Sequence, residues 1–127
     1  MNGLSLLVAS ALFVLAACAS SSKVADGSAS ATCLQRQKSA EAEVQRSLDA
    51  NATCSVDADC AVVELVTECF DACTGPVSAG GVTSVKRSID ALNAGDCATY
   101  ARDCGAVEHP PCDPRLTGPL CTNGRCQ

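Results

Sequence analysis

The chain has 127 residues, with nine Lys and Arg against fourteen Asp and Glu, for a formal charge of −5. An acidic chain without clustered basic residues excludes nucleic-acid binding and electrostatic attachment to anionic lipid. Eleven cysteines, two Phe, one Tyr and no Trp point instead to a small fold held by covalent bridges, because so few large side chains gain little from packing.

From Leu4 to Ala17 the chain is almost wholly apolar. This run is shorter than the roughly 20 residues that cross a bilayer, and it suits the apolar region of a signal peptide, with small residues where cleavage would fall. The run closes on Leu15-Ala16-Ala17-Cys18, which resembles the lipobox of bacterial lipoproteins. The resemblance implies a signal peptide over 1–17. It implies that Cys18 receives a diacylglyceryl thioether, becomes the new N-terminus and is N-acylated, a modification of the palmitate class. Several acyl chains, each contributing about 0.8 kcal/mol per buried methylene, hold a protein on a membrane where one chain does not. Met1-Asn2-Gly3 departs from the pattern, since it carries no Lys or Arg. Ala19, rather than Asp, after the cysteine implies the outer membrane by lipoprotein sorting rules.

Residues 19–32 hold five serines and a single large apolar residue, Val24. They read as a flexible tether, 18–32 with the lipidated cysteine, whose reach is about 20 Å by coil scaling. The domain proper is then 33–127, with ten cysteines: Cys33, Cys54, Cys60, Cys69, Cys73, Cys97, Cys104, Cys112, Cys121 and Cys126. Their density marks a disulfide scaffold. With Cys18 lipidated, an even number is left to pair, so five disulfides are expected, in a connectivity that sequence does not give.

Within the domain, Thr32 and Gln35 suggest a capping box, and Leu34, Val44 and Leu48 give an apolar stripe for a helix near 34–50. Cys54 to Cys60 reads as a turn built on Asp57 and Asp59. Ala61 to Val66 is the one β-branched run and predicts a strand. Gly75-Pro76 and Gly80-Gly81 punctuate an expected loop from Cys69 to Gly81. Val82, Val85, Ile89 and Leu92 recur at one-face spacing and predict a helix over 82–94, capped by Gly95. Cys97 to Cys104 adds a helical turn. Asn123-Gly124 between Cys121 and Cys126 signals a two-residue hairpin that sets the two cysteines opposite each other in a non-hydrogen-bonded pair.

Asp59-Cys60 before an apolar strand, Cys69-x3-Cys73, an amphipathic helix, paired cysteines and the closing Cys121-x-Asn123-Gly124-Arg125-Cys126 occur together here. This layout, over about 54–126, resembles small cysteine-rich extracytoplasmic proteins of Gram-negative bacteria, a group without a characterised activity. The resemblance implies a layout of elements, in which the terminal hairpin pairs with the 61–66 strand. The expected fold class is α+β: a small disulfide-rich domain with two helices, near 34–50 and 82–94, packed on a short antiparallel sheet.

Chemistry is sparse. No cysteine spacing matches the C-x2-C of structural zinc or thioredoxin-like redox sites. His109 is the sole histidine and stands before Pro110-Pro111, with no motif supplying a nucleophile. Asp57-x-Asp59 starts like a calcium loop, but Ala61 stands where a third ligand would be needed. The expectation is therefore no catalysis, no metal and no cofactor. The protein reads as a cell-envelope lipoprotein, a non-catalytic binding or structural module whose partners are the membrane, through the lipid on Cys18, and an unspecified protein. The alternative is an inhibitor or effector-type module acting on another protein such as a protease. In that case Gly75 to Gly81 or His109 to Pro119 would be the rigid presenting loop.

Overall fold

The structure is a computed structural model and describes residues 24–109, 111–112 and 118–127, with side chains described from residue 29 onward. Helix α1 (Val24–Ala50) is followed by strand β1 (Cys60–Glu64), strand β2 (Thr74–Ser78), helix α2 (Val82–Ala94), helix α3 (Tyr100–Cys104), and strands β3 (Cys121–Thr122) and β4 (Arg125–Cys126). Two small antiparallel sheets, β1–β2 and β3–β4, and three helices make a disulfide-rich α+β domain. No helix among the described residues is long and apolar enough to cross a membrane.

Helix α2 occupies the expected span, because Val85, Ile89 and Leu92 all face the core and Gly95 closes it by donating its N–H to the Ala91 and Leu92 carbonyls. Helix α1 ends as expected but begins at Val24, so residues 24–32 of the segment expected to be a flexible tether are helical. Thr32 lies inside the helix rather than at its cap. Extending an existing helix through the Ser/Ala-rich stretch carries only the small propagation cost, without a new nucleus. Leu34, expected in the apolar stripe, is 54% exposed. The buried stripe instead runs through half-buried Cys33, Arg36 and Gln37 to buried Ala40, Val44, Ser47 and Leu48, one face at helical spacing.

The larger difference is in the sheet. Strand β1 does not pair with the terminal hairpin. It pairs with β2, which lies in the stretch expected to be a loop, in the register Cys60↔Ser78, Val62↔Pro76 and Glu64↔Thr74. The breakers there have packing reasons. A Cβ on Gly75 would sit 3.0–3.1 Å from the methyl groups of Leu48 and Leu65, so glycine lets the strand lie close on α1. The Leu65 N–H donates to the Cys73 carbonyl at 3.1 Å, which phases the ladder so that Val62 and Pro76 are a non-hydrogen-bonded pair. There the missing proline N–H is not needed.

Burial alternates strictly from Val62 to Cys69, with Val63, Leu65, Thr67 and Cys69 inward. The core joins these to Val77, Phe70, Tyr100, Cys97 and the inner faces of α1 and α2. Ser47 and Ser88 meet across the α1–α2 contact with a 3.0 Å hydroxyl bond.

Candidate functional site

All ten cysteines of the domain are paired: Cys33–Cys104, Cys54–Cys121, Cys60–Cys126, Cys69–Cys97 and Cys73–Cys112. The sequence separations run from 28 to 71 residues, so each bridge contributes about 3–5 kcal/mol in the chain-entropy account, without simple additivity. Cys33–Cys104 ties α1 to α3. Cys69–Cys97 is fully buried in the core, and Cys73–Cys112 ties the start of β2 to the segment after α3, with Cys112 exposed.

The remaining two bridges converge on the C-terminal hairpin. Asn123 and Gly124 carry φ of 53° and 76°, the left-handed pair that an Asn-Gly hairpin turn requires. Cys121 stands opposite Cys126. The Leu120 and Gln127 backbones exchange both hydrogen bonds at 2.9 Å one pair further out, so the cysteine pair between is the non-hydrogen-bonded one, as the turn signal implied. The two cysteines do not bond each other; each reaches across to the other segment.

That other segment is the end of α1 and the turn after it. Cys54 N–H donates to the Gly124 carbonyl at 3.0 Å, and Cys126 N–H donates to the Ala52 carbonyl at 2.7 Å. Thr53 bridges to Arg125, whose Nη2 donates to Asp49 Oδ1 at 2.7 Å. The turn aspartates take different partners. Asp59 accepts the N–H groups of Ser55 and Val56 at 2.8 and 3.1 Å, and these two bonds hold its carboxyl below the usual range. Asp57 accepts the Cys121 N–H at 2.8 Å, fastening the turn to the hairpin. A groove of about 440 Å³ lies alongside, lined by Gln45, Leu48, Asp49, Pro76, Arg125 and Gln127 among others.

The Sγ atoms of Cys54, Cys60 and Cys126 all lie within 4.8 Å of one another. Thiolates at that spacing could ligate a soft metal ion. As disulfide sulfurs they carry no thiolate, so their chemistry here, with that of Cys121, is that of two adjacent bridges.

The other candidates separate in space. Cys18, the expected lipidation site, lies outside the described residues. His109 faces Asp71, Nδ1 to Oδ1 at 3.2 Å, at an exposed position, and this contact joins the segment before Cys112 to the loop before Cys73. Gly75 to Gly81, expected as a presenting loop, is instead a strand and a 3₁₀ turn with Gly75, Val77 and Gly81 buried. Pro110 and residues 113–117 of the other expected loop lie outside the described residues.

The structural roles of Asn93 and Arg36 are among those that went unread in the sequence. Asn93 closes α2 onto the chain after β1: its Oδ1 accepts the Glu68 N–H at 2.9 Å, and its Nδ2 donates to the Val66 carbonyl at 3.2 Å. Arg36 clamps α1 to α3, donating to the Asp96 carbonyl at 2.7 Å and to Thr99 Oγ1 and Asp103 Oδ2 at 3.2 Å each. The only signal for the clamp was Arg36 one turn past Cys33 on the same face. Comparison with protein-family models, with curated proteins and with solved structures gives no match for this chain.

Proposed function

We propose that this protein is a cell-envelope lipoprotein, held on the outer membrane through lipid on Cys18, and that its domain is a non-catalytic binding or structural module. One observation carries the reading. Five disulfides use all ten cysteines from Cys33 to Cys126 and leave Cys18, at the end of the apolar leader, as the one cysteine over. Disulfides persist in oxidising extracytoplasmic compartments, where lipid attachment to a leader-terminal cysteine also takes place. A fold stapled five times keeps its shape in an exposed setting, because each bridge limits what unfolding can gain.

Expression in a Gram-negative host tests this. The mature N-terminal peptide should carry the mass of a diacylglyceryl thioether and an N-acyl chain. The Cys18→Ala protein should leave the membrane fraction with its five disulfides intact. A variant that stays with the membrane, or an unmodified Cys18 in the mature protein, would sink the lipoprotein reading.

A further inference from the structure

We propose that Cys54, Cys60, Cys121 and Cys126 form an intramolecular thiol–disulfide exchange site, at which a low-molecular-weight monothiol converts the pairing 54–121 and 60–126 into 54–60 and 121–126. Three placements carry this. The Cys54, Cys60 and Cys126 sulfurs are mutually within 4.8 Å, so a thiolate generated at Cys54 stands beside the neighbouring bridge. In the Cys54–Cys121 bridge, Cys121 is half-buried and Cys54 buried. An incoming thiolate therefore meets Cys121 first and expels Cys54 inward. Finally, Cys121 and Cys126 are directly opposite in a non-hydrogen-bonded pair, whose Cα atoms lie about 4.5 Å apart, within the range a disulfide spans.

The steps balance without an oxidant. The thiolate RS⁻ attacks Sγ of Cys121, forming a mixed disulfide there and releasing the Cys54 thiolate. Cys54 attacks Sγ of Cys60, forming the 54–60 bond and releasing the Cys126 thiolate. Cys126 attacks Sγ of Cys121, forming the 121–126 bond and returning RS⁻. Two disulfides are present before and after, so the thiol is a catalyst. A dithiol would instead leave as its own disulfide and carry two electrons into the protein.

The sulfurs stay assembled during the exchange because other bonds hold the two segments. These are the Cys54 and Cys126 N–H bonds to Gly124 and Ala52, the Asp57 bond to Cys121 N–H, and the Arg125–Asp49 ion pair. The exposed Cys112 also invites thiol attack, but its bridge belongs to no set of three sulfurs at this spacing among the described residues. The product has each segment closed on itself. The hairpin is then fastened to the domain without a disulfide, by those polar contacts and the burial of Cys126, and the groove beside Asp49 and Pro76 is freer to open.

The test treats the intact disulfide-bonded protein with one equivalent of glutathione, quenches with an alkylating maleimide, and maps peptides without reduction. Asp57 and Arg125 provide cleavage points inside the two loops. In the species carrying glutathione on Cys121, the alkyl label should sit on Cys126, with Cys54 joined to Cys60, in a proportion to the Cys54-labelled form that does not change with protein concentration. Unlabelled product should show 54–60 and 121–126 at unchanged intact mass. Label on Cys54 with the 60–126 bridge intact would overturn the proposal, as would exchange that proceeds through disulfide-linked dimers whose share rises with protein concentration.

Discussion

The guanidinium of Arg36 lies 5.4 Å from the centroid of the Tyr100 ring, so a cation on α1 covers the one aromatic residue of α3. The same guanidinium donates to Asp103 and Thr99, and the Cys33–Cys104 bridge crosses the same contact one turn away. Covalent and polar fastenings thus converge where α1 and α3 meet, a place with few large apolar side chains. Arg36→Ala should lower stability by about 1–2 kcal/mol, from the lost ring contact and hydrogen bonds. Arg36→Lys should recover little, because an ammonium does not reproduce the guanidinium fork. Chemical denaturation of the disulfide-intact protein measures both, and full recovery by lysine would contradict this account.

Asp103 gives the same contact a pH dependence. The Thr99 hydroxyl donates to it at 2.6 Å, and Arg102 and Arg36 donate at 2.9 and 3.2 Å. Together they draw its carboxyl down from 3.8 to about 2. A pKa lowered in the folded state gives stability that is present above the unfolded value and lost as pH falls through the folded one. The protein should therefore weaken between about pH 4 and pH 2, and Asp103→Asn should flatten that part of the curve. An unchanged acid limb in the variant would refute the assignment.

Thr67 is 1% exposed, and its hydroxyl serves Phe70 twice, donating to the carbonyl at 3.0 Å and accepting the N–H at 3.2 Å. Thr67→Val keeps the shape and strands both backbone groups in the core. The expected loss is about 1–3 kcal/mol. Thr67→Ser, which retains the hydroxyl, should lose less than the valine variant. Equal losses would mean that the methyl group, not the hydroxyl, matters there.

Gly80 and Gly81 are adjacent and should respond unequally to alanine. A Cβ on Gly81 would stand 2.6 Å from Asn51 Cβ and 3.0 Å from both Ser78 and Val77, whereas one on Gly80 would meet nothing within 4 Å. Gly81→Ala must push α2 away from the end of α1 and should cost about 1–3 kcal/mol. Gly80→Ala should change stability by less than about 0.5 kcal/mol. Thermal midpoints of the two variants decide it, and matched midpoints would dismiss the close approach.

Val62 and Val63 make the equivalent comparison in β1, at 47% and 1% exposure. Val63→Ala removes two buried methyl groups and should cost about 1.5–3 kcal/mol with the cavity it leaves. Val62→Ala should fall within about 0.5 kcal/mol of the parent. A similar loss at both positions would argue against the inward and outward alternation of this strand.

The sequence by itself determined what rests on neighbours along the chain. The spacing of Val85, Ile89 and Leu92 fixes one face of α2. Asn123-Gly124 fixes the turn and the Cys121/Cys126 pairing face, since few residues other than Asn and Gly take up left-handed backbone readily. The even count after Cys18 matches a fully bridged domain. Only the tertiary structure decided which sulfur meets which, because partners up to 71 residues apart are set by packing rather than by local preference. It also decided that β1 takes Thr74–Ser78 as its partner. The glycine and proline there read locally as breakers, and their fitness for a strand comes from Leu48 and Leu65 pressing on one side and an unused ladder position on the other. Arg36 and Thr67 stayed unread for the same reason: a polar side chain shows its role only when the groups it satisfies, distant in sequence or part of the backbone, are brought beside it by the fold.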